Sequence, residues 1–469
     1  MSTSQAIFLK GNLMRHVAVM SASASIGLVS IFLVDFVDLL FISMLGEQEL
    51  AAAVGFAGTM LFLTFSVSIG MTIATSALVA QRLGQDQADE ARAIATSVMV
   101  FGAAITTLLA IICWTFAPNL LSLIGAKGYT AELAVRYFRI VVAAMPIGAI
   151  GMMASGILRA HGDARRAMTV TLTAGAVNAI LDPIFIFALG LGLDGAAYAS
   201  VCARAATMVV ALYPIYRHYG GLAPFEAERF KAHFGAIVAI AAPAMMTNVA
   251  TPIGNGMVTR AISEFGDQAV AAMAVAGRLT PLAFCVIFAL SGAVGPIIGQ
   301  NFGAKQYDRV RGALVTAVKF AAGYIVVVWA ALLITNGFIS SGFNLSDEGA
   351  NIIFWFALVV APLYIFNGTL FVSNAAFNNL KRPLYSTALN WGRNTIGVLP
   401  FIFVGGQIGG AAGVLIGQAL GGVLFGLVGF WLAYRLVNRY ETGKADPEKG
   451  FKFELWRQRS ETPFSSPRH

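Results

Sequence analysis

The chain reads as a succession of long apolar stretches separated by short polar ones. A helix that crosses a bilayer needs roughly 20 consecutive, mostly apolar residues. Twelve segments meet that ruler: 16–43, 51–80, 92–117, 132–158, 167–189, 195–217, 233–262, 270–299, 311–337, 350–377, 384–406 and 411–436. The runs are continuous rather than alternating and far exceed the roughly 10 residues of a barrel strand, which excludes a transmembrane β-barrel. Several are longer than a bilayer requires, so tilt or extension beyond the hydrocarbon is expected. The pattern predicts an all-α integral membrane protein with twelve transmembrane helices.

The polar connections differ in sign from one side to the other. Odd-numbered connections carry Glu47 and Glu49, Lys127, Asp194, Asp267, then Asp347 and Glu348. Even-numbered ones carry Arg82 and Arg92; Arg159, Arg165 and Arg166; Arg217, Arg229 and Lys231; Lys305, Arg309 and Arg311; Lys381 and Arg382. Lys and Arg accumulate on the cytoplasmic side, so the even connections are expected inside, and both termini with them. Residues 1–15 then form a cytoplasmic segment, 16–217 a first lobe of six helices, 218–232 a cytoplasmic inter-lobe loop, 233–436 a second lobe, and 437–469 a cytoplasmic tail. The tail mixes both signs with Pro, Ser and Gly and is expected to be partly disordered. Residues 1–15 are short and polar and run into a span too long for a signal-peptide core, so the first apolar segment is expected to be retained.

Composition narrows the class. Of 469 residues, 58% are hydrophobic and 12% charged, against roughly 25% charged in a soluble domain. A soluble core stops growing near roughly 250–300 residues, so a cytosolic enzyme and a disordered chain are excluded. The net charge of +8 is a matter of membrane orientation and not of nucleic-acid binding. The three cysteines, Cys113, Cys202 and Cys285, are far apart in apolar runs and make neither a metal site nor a disulfide framework. The five histidines are scattered at span edges and loops, and no GxxxxGK[ST] loop occurs. No enzyme chemistry, ATP drive or cofactor is expected.

The two halves resemble each other. LGEQELAAAVGFAG at 45–58 parallels FGDQAVAAMAVAG at 265–277. At a nearly constant offset Gln81 matches Gln300, Gly84 matches Gly303 and Arg92 matches Arg311; later, Pro183 falls on Pro400. Both halves begin inside, so the repeat is parallel, about an axis along the membrane normal. Two such lobes enclose a central cleft suited to alternating access. The acids are not repeated: Asp38 falls on Val258, Asn178 on Thr395 and Asp182 on Leu399.

An acid inside a span costs roughly 2.5–3.5 kcal/mol on insertion scales and marks function by default. Counted inward from Gly46, Gly190 and Gly195, Asp38, Asp182 and Ser200 sit at similar depth, roughly 8–12 Å from the outer end. Asn178 lies one turn from Asp182 on the same face. These four form the candidate ion-coupling site. Two nearby carboxylates in a poorly hydrated site repel each other, which favours holding one proton between them. The same oxygens, with Asn178 and Ser200, can instead ligate Na⁺; no other metal site is expected. Asp35, one turn before Asp38, is a candidate supporting acid. In the second half Arg278, Lys319 and Arg393 are candidates for facing the cleft, against the alternative of snorkelling.

Four runs carry a resemblance: VDLLFISMLG at 37–46, LRAHGDARRAM at 158–168, NAILDPIFIF at 178–187 and GQNFGAKQYDRVR at 299–311. Together they resemble multidrug and toxic compound extrusion (MATE) transporters, in the branch typified by the DNA-damage-inducible protein F, over almost all twelve helices. The resemblance implies export of amphipathic, often cationic drugs or metabolites across the cytoplasmic membrane, driven by inward H⁺ or Na⁺. It assigns the family's first-helix acid to Asp38, its fifth-helix Asn and Asp to Asn178 and Asp182, and its sixth-helix hydroxyl to Ser200. Ser43 departs from the Gly usual in this branch, and the first helix contains no Pro. Thr251 and Leu370 stand near the acids of the Na⁺-driven branch, which favours coupling through the first lobe. The expected partners are small amphipathic substrates and lipid, with the monomer as the functional unit. The alternative is a flippase for lipid or lipid-linked saccharide of the same broad superfamily.

Overall fold

Backbone groups in hydrocarbon have no water to bond, so a long apolar run satisfies them within its own helix. In the computed structural model each of the twelve runs is helical. The structure describes residues 6–45 and 48–446, without the side chains at positions 35, 39, 40, 43 and 48. In chain order the spans are α1 (Leu13–Ser43), α2 (Gln48–Gly84), α3 (Ala88–Thr115), and α4 in two pieces (Gly128–Ala143 and Met145–Ala160). Then come α5 (Ala164–Pro183, continuing as the wider turn Ile184–Ala188), α6 (Leu193–His218) and α7 (Ala227–Ser263). α8 is again divided (Asp267–Ala283 and Cys285–Gly303), α9 is Tyr307–Gly342, and α10 joins Asp347–Trp355 to Ala361–Asn379 through Phe356–Val360. The remainder, Pro383–Asn394 and Leu399–Glu441, contains α11 and α12.

Proline and glycine set the irregularities. α4 bends by 47° at Ala144, where Pro146 opens the second piece without an N–H to donate. α8 breaks at Phe284, just after Pro281. Inside Leu399–Glu441 the chain doubles back at Gly409 and Gly410, the latter at φ +57°, a conformation glycine adopts without steric cost. Across that hairpin a Cβ on Gly405 would lie 2.1 Å from the Gly413 oxygen, and one on Gly413 1.9 Å from the Gly405 oxygen. This tight glycine turn separates α11 from α12. Among the described residues, ten helices are long and apolar enough to cross singly, eleven with the bent pair. Dividing the hairpin accounts for all twelve predicted runs among the described residues.

The two halves exchange helix ends. Val17 and Met20 of α1 join the core built mainly by the second half, while Ile237, Ile240 and Ala241 of α7 join the core of the first. The halves also meet by repeated contacts at the end carrying the basic loops. Gln81 Nε2 donates to the Asn379 carbonyl at 2.9 Å, and its counterpart Gln300 Nε2 donates to the Ala160 carbonyl at 2.8 Å. A Cβ on Gly84 would fall 2.0 Å from the Gln300 oxygen, and one on Gly303 2.2 Å from the Gln81 oxygen. Only glycine lets α2 and α8 cross so closely. The internal repeat in the sequence is therefore a pseudo-twofold in space. A short turn of 3-10 helix, Ile7–Leu9, is seated on this junction: buried Phe8 donates its N–H to Gln300 Oε1 at 2.9 Å and accepts from Arg309 Nη2 at 2.9 Å.

Candidate functional site

α1 and α5 approach closely because Gly175 has no side chain; a Cβ there would meet Ser30 Oγ at 2.6 Å and Val34 at 3.2 Å. One turn beyond that contact Asp38 faces Asn178. The Asn178 amide nitrogen donates to Asp38 Oδ1 at 3.3 Å, to Asp38 Oδ2 at 3.1 Å and to Asp182 Oδ2 at 3.3 Å. Asp182 itself lies within hydrogen-bonding reach of Asp38. Asp182 is 0% exposed and Asn178 5%, so neither faces lipid. Two buried acceptors in the cluster have no partner among the described residues: Asn178 Oδ1 and Asp182 Oδ1. Unsatisfied buried acceptors are costly, and this pair needs a donor or a cation. Asp182 also sits at the end of regular α-helix, before Pro183 and the wider turn Ile184–Ala188, an irregularity frequent at functional sites.

Ser200 of α6 is not bonded directly to the acids. It lies within hydrogen-bonding reach of the hydroxyl of Tyr137 on α4, and Tyr137 is buried and close enough to feel the charge of both Asp38 and Asp182. The structure thus adds Tyr137 as the link between Ser200 and the carboxylates. In the sequence Tyr137 is one aromatic in an apolar run, with nothing to distinguish it from a lipid-facing residue. The Asp35 side chain lies outside the described residues. Arg278 and Lys319 are exposed, and Arg393 hydrogen-bonds Asn367 within its own half. None of the three bonds to the acid cluster among the described residues.

Below the acids a cavity of about 430 Å³ runs toward the basic-loop end, walled by Ile31, Phe65, Met168 and Phe288 among others. Ala174 in its wall is one turn from Asn178, and Ile31 is two turns from Asp38. Its charged residues are Arg204 and Arg159, both from the first half. Arg204, one turn after Ser200, donates to the Val141 carbonyl at 3.0 Å, beside the break in α4. Arg159 donates to Ser155 Oγ at 2.9 Å. Sequence reasoning placed Arg159 among the loop charges and did not single out Arg204. A second groove, about 1020 Å³, opens on the surface beside Trp114, Arg136 and Arg139. There Arg136 pairs with Asp194, and Arg139 lies 4.7 Å over the Trp114 ring.

One arrangement mimics a hydrolase triad. Ser97 Oγ is 2.9 Å from His233 Nδ1, and His233 Nε2 is 2.8 Å from Glu90 Oε1. Ser97 and His233 are 3% and 5% exposed, and the Ala93 carbonyl, 3.1 Å from Ser97 Oγ, is a second acceptor for the Ser97 hydroxyl. The trio is a strut between α3 and α7.

The MatE family model matches residues 24–184 and 243–404, one stretch in each half. The chain belongs to the MATE family. This MATE chain is 27% identical over 433 residues to the FAD transporter of Shewanella oneidensis, covering 91% of this chain and 96% of that one. It is 20% identical over 405 residues to the multidrug export protein MepA of Staphylococcus aureus, covering 86% and 89%. Its fold matches the Vibrio cholerae MATE transporter VcmN in the bent form with a TM-score of 0.86 at 24% identity, covering 92% of this chain and 99% of that one. A MOP superfamily transporter of Pyrococcus furiosus, described by the reverse polarity of its binding pocket, matches with a TM-score of 0.86 at 22% identity, over 94% and 99%. The family consists of multi-pass membrane transporters for multidrug and toxic compound efflux, not enzymes. The all-helical fold and the family resemblance expected from the sequence both hold.

Proposed function

We propose that this MATE transporter is a secondary antiporter, exporting amphipathic compounds in exchange for inward H⁺ or Na⁺ bound among Asp38, Asn178 and Asp182. The observation that carries the reading is the Asn178 amide shared by two carboxylates, with Asn178 Oδ1 and Asp182 Oδ1 left unpartnered. Carboxylate repulsion in a dry site is relieved by a proton shared between the acids or by a small hard cation on their oxygens. Loss of that charge favours a narrower, drier lobe. The acids lie one to two turns beyond the cavity wall at Ala174 and Ile31, so narrowing the lobe around them disfavours substrate in the cavity, and ion entry drives substrate out. Tyr137 and Ser200 hold α4 and α6 to the same event.

The even-numbered, basic loops and both termini face the cytoplasm in this reading, because Lys and Arg gather there, and the monomer suffices because both lobes lie in one chain. The relative named an FAD transporter supports a second reading of the substrate, as a flavin nucleotide rather than a cationic drug.

The test is efflux from proteoliposomes under separately imposed pH and Na⁺ gradients, comparing wild type with Asp38→Asn. Uphill efflux should vanish in the variant while substrate binding largely survives. Undiminished uphill efflux in a folded Asp38→Asn protein would refute the assigned role.

A further inference from the structure

Where the two halves meet, below the cavity, the pseudo-twofold passes through a polar pocket of about 50 Å³. It is lined by Thr72 and Ser76 of α2, Arg159 of α4, Ser291 of α8, and Asn378 and Asn379 of α10. At the offset that pairs Gln81 with Gln300, Thr72 falls on Ser291 and Arg159 on Asn378. The repeat thus supplies a neutral polar group at each of these positions except one, where the first half places a guanidinium. Four buried atoms around the pocket have no hydrogen-bond partner among the described residues: Ser76 Oγ, Arg159 Nε, Asn378 Oδ1 and Asn379 Oδ1. Among the described residues no acid pairs with Arg159; its bond is to the Ser155 hydroxyl. Arg159 is half-buried with its Nε sealed from water; a cation taken partly out of water without a counter-charge is unfavourable, and this one sits where a ligand can reach it. Arg159 and Gly292 border both the polar pocket and the cavity of about 430 Å³.

We propose that Arg159 recognises an anionic group of the substrate, and that the transported class includes amphipathic anions carrying a phosphate or carboxylate. This rests on the transport reading above but not on its coupling site. The apolar or aromatic body lies in the cavity against Phe65, Met168 and Phe288, and the anion lies at the fork of Arg159. A guanidinium presents parallel donors that match phosphate and carboxylate oxygens. Thr72, Ser76 and Ser291 add hydroxyl donors, and the two asparagine oxygens accept from bridging water, for which the pocket has room. Arg204 does not share the same anion. It lies against Gly148, and Gly148 and Arg159 are separated by three turns of α4, roughly 16 Å of helix rise. An anion at Arg159 touches α2 and α4 from one half and α8 and α10 from the other, so its presence reports on whether the lobes are closed at this end.

Riboflavin and riboflavin 5′-phosphate (FMN) share one body and differ by the phosphate. Binding of each to purified protein in discs of zwitterionic lipid, followed by flavin fluorescence without any ion gradient, isolates the proposed contact. FMN should bind wild type at least about tenfold more tightly than riboflavin, a difference of about 1.4 kcal/mol. Arg159→Gln should reduce that preference below about twofold, Arg159→Lys should keep part of it, and the exposed control Lys319→Gln should keep all of it. Equal binding of the two flavins by wild type would overturn the proposal, and that arm needs no variant to fold. Retained preference in Arg159→Gln would overturn it as well. Displacement of FMN when anionic phosphatidylglycerol is added to the discs would assign the anion to a lipid headgroup and overturn the substrate reading. Because no gradient is applied, failure here is separable from failure of ion coupling at Asp38.

Discussion

Where the first half holds Asp38, Asn178 and Asp182, the second half places Val258, Thr395 and Leu399, although the repeat gives both halves comparable helices. The second half is not without polar groups. Asn390 Nδ2 donates to Asn374 Oδ1 at 3.0 Å, Asn394 Nδ2 to the Asn390 carbonyl at 2.8 Å, and Thr387 Oγ1 to the Pro243 carbonyl at 2.8 Å. These groups are neutral and bond to one another or to backbone, and such a network stiffens helix packing without calling for an ion. The carboxylate cluster is different: it brings negative charge together and leaves acceptors open. In the proposed reading the first lobe responds to an ion and the second does not.

The sharpest way to break this contrast is to neutralise the responsive lobe. Asp182→Asn should reduce uphill efflux by at least about 100-fold in proteoliposomes while downhill substrate exchange persists, because the exchange needs no ion; equal loss of both would indicate collapse of the site instead. Charging the quiet lobe should fail to compensate. Val258→Asp in the Asp38→Asn background should leave uphill efflux at background, since Thr395 and Leu399 provide neither a shared amide nor a second acid.

A smaller effect is expected at the pseudo-symmetric crossing. Gly84→Val should destabilise the protein by about 1–3 kcal/mol through overpacking, read as a lowered melting temperature, whereas Gly323→Val, with nothing within 4 Å, should stay close to wild type. Smaller again, Tyr137→Phe should slow efflux a few-fold and cost about 1 kcal/mol for the lost hydrogen bond. Wild-type rates in that variant would remove Tyr137 from the ion-responsive group.

The loop beneath the first half supplies a pH-dependent contrast outside the membrane. Burial pushes the Asp163 carboxyl up, but hydrogen bonds from Tyr219 and Arg166 outweigh it and hold the group below its ordinary value of 3.8. A group depressed in the folded state contributes stability above its unfolded value and loses it as pH falls through the folded value. Asp163→Asn should therefore be less stable than wild type at neutral pH, with the difference shrinking below about pH 4 in thermal melts across pH.

Much of this architecture is legible in the chain before folding, for physical reasons. Apolar length marks a span whatever its partners, and an acid in hydrocarbon is too costly to be incidental, so the twelve runs and the Asp38, Asn178 and Asp182 set stand out. Depth counting also places Ser200 near them. It does not show that Ser200 reaches the site through Tyr137, because which face of α4 turns inward depends on the bend at Ala144. Arg159 reads as one more loop charge at a span end; only the packing of α2, α4, α8 and α10 turns it into the lobe junction. Arg204 was invisible for a similar reason, since its carbonyl partner, Val141, lies beside that break. Pro146 and Pro281 announce irregular helices but not which residue gives way.

The most direct test of one-lobe coupling is ion release on substrate binding by purified protein in weakly buffered solution, measured for protons and, in parallel, for preloaded ²²Na⁺. Wild type should release one of these ions as substrate saturates, and both Asp38→Asn and Asp182→Asn should bind substrate with no release. Release of wild-type size from either variant would show that the exchanged ion is held elsewhere, and the account of Asp38, Asn178 and Asp182 as its site would be wrong.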